Sequence, residues 1–278
     1  MSAMKSFWSR FLGNPRVYLG LIWLGLLLVV AIAADLIAPT DPFAIVGRPM
    51  SIPSAAFPLG TDSLGRDVLA GLLHGTRATL LMAVLATLAA VAFGMFVGAV
   101  AGYYGGLIDD ALMRFTEFFQ TIPSFLFAIV LIAILSPSAA NVVIAIATVS
   151  WPPIARVVRG EVLTVKSREF VQAAIVAGQG DAAILLKQIL PNTLSPLIVT
   201  GSLLVATAIL VESALSFLGL GAPNLMSWGF MIGAGRSFMR EAWWLVTVPG
   251  VAILLTVLAI NLIGEGLNDA LNPRLADL

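Results

Sequence analysis

From Ala78 to Ala101 the chain runs without a single charged side chain, and the rest of the sequence repeats this pattern. A helix needs about 20 mostly apolar residues to cross the hydrocarbon of a bilayer. Val17 to Ile37 qualifies, interrupted only by Asp35 near its end, and so does Leu197 to Leu218, with Glu212 inside it. Ala242 to Gly264 is closed by Glu265. The uncharged run from Phe118 to Ala155 is too long for one span and is broken by Ser136-Pro137-Ser138, so it is expected to form a helical hairpin. Unpaired backbone amides cost several kcal/mol each in lipid, which forces such segments to be helical. Strands crossing a membrane would alternate polar and apolar residues, and these runs do not. The expectation is an all-α integral membrane protein with about six transmembrane helices.

Composition excludes the alternatives. Only 11% of the residues are charged and 59% are hydrophobic, whereas soluble domains carry about 25% charge. Zero net charge offers nothing to nucleic acid. With no cysteine and one histidine, His74, the chain supplies neither thiolates nor a multi-histidine metal centre. No lysine follows a glycine, so there is no P-loop for ATP. A Ser-His-Asp triad could use only His74, at the outer end of the second helix, where a structural role is expected.

Basic residues set the orientation. With the N-terminus inside, the inner segments hold Lys5, Arg10, Arg16, Arg114, Arg156, Arg159, Lys166, Arg168, Lys187 and Arg274. The outer segments hold Arg48, Arg66, Arg77, Arg236 and Arg240, so both termini are expected on the inner side. Ala31-Ile32-Ala33 has the form of a signal-peptidase site, but the apolar stretch around it is longer than a signal core, so a retained anchor is expected.

The connections carry further information. Gly105, Gly106, Asp109, Asp110 and Arg114 fall in a short inner loop. The longest inner segment, Arg156 to Asn192, has helix-forming residues from Glu169 to Leu190, with Gly178 and Gly180 between and Pro191 closing it. Two short helices joined at the glycines are expected, with the chain re-entering the membrane at Pro196. Such a segment is either a solvated connection or a docking element. Glu212, costly at membrane depth, either lines a pathway or sits near the outer surface as a helix-end carboxylate.

Gln172-Ala173-Ala174 followed by Gly178 and then by Leu190-Pro191-Asn192 resembles the cytoplasmic "EAA" loop of bacterial ATP-binding-cassette (ABC) importer permeases. Pro58-Leu59-Gly60-Thr61-Asp62, with Gly65-Arg66-Asp67, is similar to the outer segment of the C-type subunit of dipeptide, oligopeptide and nickel permeases. Gly102-Tyr103-Tyr104-Gly105-Gly106, Glu212 to Gly221, Ser227-Trp228-Gly229 and Asp269 to Leu275 match further along, in order.

The resemblance implies a type I importer permease fold in the inner membrane, with both termini cytoplasmic. Residues 1–16 would be cytoplasmic, 17–38 the first helix, 39–76 periplasmic, 77–267 a five-helix core with its coupling loop at about 159–195, and 268–278 a tail. Two such subunits would pair as a heterodimer on two ATPases, which bind ATP and magnesium, while this chain binds no cofactor and is not itself an enzyme. A periplasmic or lipid-anchored binding protein would deliver the solute: dipeptides, oligopeptides, glutathione or a nickel chelate. Glu169, Gln172, Ala173, Ala174, Gly178, Asp181 and Pro191 would form the ATPase-coupling element, and Glu212 is the candidate pathway residue. Gln172 departs from the family's glutamate, with Glu169 the nearest carboxylate, and Gln188 stands where histidine or an apolar residue is usual. The alternative from another class is a stand-alone ion-coupled transporter, which would favour broken helices and buried ionisable pairs.

Overall fold

A computed structural model describes Trp8 and residues 10–271. Lys5, Arg274 and the tail motif from Asn272 to Leu275 lie outside the described residues. The described residues are mostly helical, with the longest irregular segment at 38–67. Its helices are α1 (Pro15–Ile37), α2 (Val68–Tyr104), α3 (Gly106–Thr121), α4 (Ser124–Leu135), α5 (Ala139–Lys166), α6 (Glu169–Val176), α7 (Asp181–Ile184), α8 (Leu190–Phe217), α9 (Trp228–Gly235) and α10 (Trp244–Leu271). Among the described residues five helical stretches are long and apolar enough to span a membrane, and α3 with α4 makes a sixth, broken span. These crossings put both ends of the described chain on one face, the terminal face. Residues 38–67 and 218–243 lie on the opposite, distal face.

Three features differ from the sequence expectation. The second helix starts at Val68 rather than Ala78, because the Asp67 carboxylate accepts the Leu69 amide at 2.9 Å and caps it. The inner loop expected around Asp109 is instead α3, an amphipathic helix. The first limb of the hairpin is not one helix: α3 and α4 meet at 84°. Pro123 has no N–H to offer, and Ile122 before it is extended, at φ −94° and ψ 130°.

The tightest packing joins α2 to α5. Ala86, Ala90, Gly94, Gly98 and Gly102 recur every four residues and form one stripe along α2. A Cβ at Gly94 would stand 2.7 Å from the Trp151 carbonyl oxygen and 2.7 Å from Ile154 Cβ. One at Gly102 would stand 2.9 Å from the Arg159 carbonyl oxygen. Without side chains the two backbones touch, which is how helices gain dispersion energy where lipid removes the hydrophobic drive.

On the distal face α9 is tucked into the bundle. Ser227 caps it, accepting the Phe230 amide at 3.0 Å, and Trp228 behind it is fully buried. The Trp228 indole N–H donates to the Leu72 carbonyl at 3.0 Å, and its amide donates to Thr79 Oγ1 at 3.0 Å. His74 Nε2 lies 2.9 Å from the Ala38 carbonyl, tying the end of α1 to α2, which is the structural role its position suggested.

Candidate functional site

The segment between α5 and α8 forms a shelf on the terminal face. Glu169 opens α6, where its charge complements the helix N-terminus. Val171 and Ala174 turn inward and are buried against α5 and the end of α2. Gln172, Ala173 and Gly178 are exposed, together with Ile175 and Val176, the latter 89% exposed. An apolar ridge left bare on a water-facing surface marks a contact for another molecule. Of the residues singled out in the sequence, Ala174 therefore packs inward while Gln172, Ala173 and Gly178 face out.

Gly178 closes α6 in the left-handed region, at φ +75°. Its amide donates to the Ile175 carbonyl at 2.9 Å, and the Gln179 amide donates to the Ala174 carbonyl at 3.1 Å. This paired closure uses the last carbonyls of the helix and needs a residue that accepts positive φ. Gln172 donates its side-chain amide to the Lys166 carbonyl at 3.0 Å, capping the end of α5. A carboxylate there could not donate that bond, so the Gln172 departure gains a local role.

Beyond Gly180 the chain does not form the separate short helix that was expected, and it does not close at Pro191 before re-entering at Pro196. The α7 turn runs through a π turn, Leu185–Ile189, directly into α8. Pro191 lacks the N–H that a regular helix would present to Lys187, and the Leu190 amide reaches back to the Leu185 carbonyl instead. The result is one continuous stretch, Asp181–Phe217, from the exposed shelf to the distal face.

Side chains tie this stretch to the core. Tyr103, 6% exposed at the end of α2, donates its hydroxyl to Asp181 Oδ1 at 2.8 Å. The Lys166 ammonium donates to the Tyr103 carbonyl and lies 5.2 Å from its ring centroid. Arg159 holds Asp109 of α3 through two bonds of 2.6 Å each. Sequence reading assigned Tyr103 and Lys166 no role, because each partner lies more than sixty residues away. The four-residue glycine repeat of α2 lies within one helix and carries a readable signal, but it too was assigned no role.

Glu212 lies near the other end of the same stretch and is 1% exposed. Its carboxylate accepts the Ser216 and Ser227 hydroxyls at 2.8 Å each and the Ser213 hydroxyl at 3.4 Å. Its side chain is enclosed by these partners. The position is that of an internal acceptor that fastens α9 to α8, near the distal end of the helix. Glu212→Ala would leave the buried Ser216 and Ser227 hydroxyls without this acceptor, at a cost of about 1–3 kcal/mol. Thermal unfolding of the purified protein in detergent should show it, with Glu212→Gln, which keeps an acceptor oxygen, falling between.

The comparisons with known proteins agree with this geometry. Residues 94–277 match the family described as binding-protein-dependent transport system inner membrane component. Residues 2–52 match the N-terminal transmembrane domain of oligopeptide transport permease C. The dipeptide transport system permease protein of Haemophilus influenzae is 40% identical over 280 residues, covering 98% of this chain and 95% of that one. Its counterpart from Escherichia coli K12 is 42% identical over 283 residues, covering 99% and 94%. The glutathione transport system permease protein of Pectobacterium atrosepticum is 39% identical over 274 residues, covering 98% and 91%. The chain belongs to the binding-protein-dependent inner-membrane transport family, as a multi-pass permease subunit of an ABC importer. Nothing in these matches favours the stand-alone ion-coupled alternative.

Proposed function

We propose that this chain forms half of the membrane pathway of an ATP-driven importer of short peptides. The observation that carries the reading is the exposed shelf around Gly178, apolar on its outer side and continuous with a spanning helix behind it. In this reading the terminal face is cytoplasmic and both termini lie there. The shelf seats in one of two ATPase subunits, which bind ATP and magnesium and perform the hydrolysis; this chain performs no chemistry. A second, homologous permease subunit completes the pathway as a heterodimer, and a periplasmic or lipid-anchored binding protein docks on the distal face. Dipeptides are the first substrates to test, as the Haemophilus influenzae and Escherichia coli relatives are named for them, and glutathione is the second.

The shelf works by displacement. Closure of the ATPases pushes Gly178 and its neighbours, and Asp181 passes the motion along α8 while Tyr103 passes it to α2. Tyr103→Phe removes the hydroxyl and keeps the ring. Losing one hydrogen bond to a carboxylate, about 1.5–3 kcal/mol, should lower uptake per ATP hydrolysed by about tenfold while assembly is retained. Uptake and hydrolysis measured together in liposomes give that ratio.

The function itself is tested by purifying the tagged chain in mild detergent with its neighbouring genes expressed. A second similar membrane subunit and P-loop ATPases should come with it. Recovery of the chain alone, under conditions that keep control complexes intact, would remove the reading.

A further inference from the structure

The bend between α3 and α4 leaves a groove of about 320 Å³ near the middle of the span. Gln120 and Ser124 line it from the two sides of the bend, Ser150 and Pro153 from α5, and Thr207 from α8. None of its lining residues is charged. Ser124 and Thr207 are exposed and Gln120 is half-buried, and polar side chains at such depth turn toward protein or water rather than lipid.

Two further observations point to a ligand. Ser150 is only 9% exposed, lines the groove, and its hydroxyl has no hydrogen-bond partner among the described residues. The first turn of the twelve-residue α4 begins after Pro123 with no side-chain cap. Its opening backbone N–H groups therefore have no partner within the helix. In lipid these groups would cost several kcal/mol each, so the start of α4, where Pro123 and Ser124 line the groove, calls for water or a polar partner.

We propose that this groove is a solute-contacting station of the pathway. It takes neutral amide and carbonyl groups of a short peptide by hydrogen bonds from Ser150, Ser124, Gln120 and the opening N–H groups of α4. The inference rests on the peptide-importer reading. It also explains how one pathway passes peptides of different side chains. Amide groups are common to all of them, and a lining without charge neither traps a terminus nor rejects a charged side chain.

The test uses the assembled importer in liposomes. The chain has no cysteine, so Ser124→Cys, Ser150→Cys and Ile134→Cys each introduce its only thiol. Ile134, on α4 and 75% exposed on an apolar flank, serves as the reference. A charged, membrane-impermeant methanethiosulfonate reacts with thiolate, which forms in water and is suppressed in apolar surroundings. Ser124→Cys and Ser150→Cys should label about tenfold faster than Ile134→Cys, and saturating dialanine with binding protein and ATP should slow Ser150→Cys labelling severalfold. Labelling no faster than Ile134→Cys overturns the proposal, as does fast labelling that dialanine leaves unchanged, provided the wild-type complex imports dialanine. Absence of ATP-driven uptake of dialanine, trialanine and glutathione by the wild type overturns the importer reading itself, and this inference with it.

Discussion

Replacing Gly94 by leucine is expected to empty the membrane fraction of folded protein. The new Cβ would meet the Trp151 carbonyl oxygen and Ile154 Cβ at 2.7 Å each. The first is backbone and the second is the stem of a β-branched side chain, so neither can swing aside. Overpacking commonly costs about 1–3 kcal/mol. Here α2 and α5 would have to part along a shared seam, so the effect should reach or exceed that range. Steady-state abundance and the thermal midpoint in detergent measure it. Gly25→Leu is the control, since nothing lies within 4 Å of a Cβ there, and it should behave as wild type. A Gly94→Leu protein with the wild-type midpoint would rule out the close approach.

Replacing Gly178 by proline should leave insertion and abundance intact and remove transport. No side chain crowds the position, so steric overlap is not the cause. Proline is confined to φ near −65°, and Gly178 sits at +75°. The ring also deletes the amide that closes α6 onto the Ile175 carbonyl. The outer end of the shelf therefore unwinds, while the buried Val171 side remains packed. Solute-stimulated ATP hydrolysis by the assembled complex should fall at least tenfold, because a frayed shelf moves without moving the helix behind it. Normal stimulation in that variant would mean that the shelf is not the coupling element. Gly178→Ala separates the two causes: it keeps the N–H and strains only φ, and should lose less.

The spans were legible because lipid admits so few backbone arrangements that an uncharged run of sufficient length is nearly decisive. The break at Ser136-Pro137-Ser138 and the turn at Gly178 were legible for local reasons, since each carries its own punctuation. The bend at Pro123 was not. Pro152, Pro153, Pro196 and Pro249 all sit inside unbroken helices, so a proline in an apolar run does not by itself announce a corner. What separates Pro123 is the extended backbone of Ile122, a tertiary outcome. Pro191 misled in the opposite direction: it suggested a stop, and the chain absorbed it in a π turn. The partnerships of Tyr103 with Asp181 and of Asp109 with Arg159 join residues 78 and 50 positions apart, beyond the reach of any pattern within one helix. Glu212 was recognised as unusual, but its three serine partners come partly from α9, whose insertion into the bundle a reading of the outer loop could not supply.

The glycine seam between α2 and α5 bears on how variation in this chain should be interpreted. Gly94, Gly98 and Gly102 each admit one amino acid for reasons of space alone. The ridge that meets the ATPase in our proposal ends at Val176, whose side chain hangs in solvent and can be exchanged for many others without disturbing the fold. A saturation-mutagenesis map of this protein would therefore place its most intolerant positions along a contact that binds nothing. The surfaces that touch solute and partners would look permissive wherever abundance is the score. Only a screen that reads uptake and abundance separately would divide the residues that hold the scaffold from those that operate it.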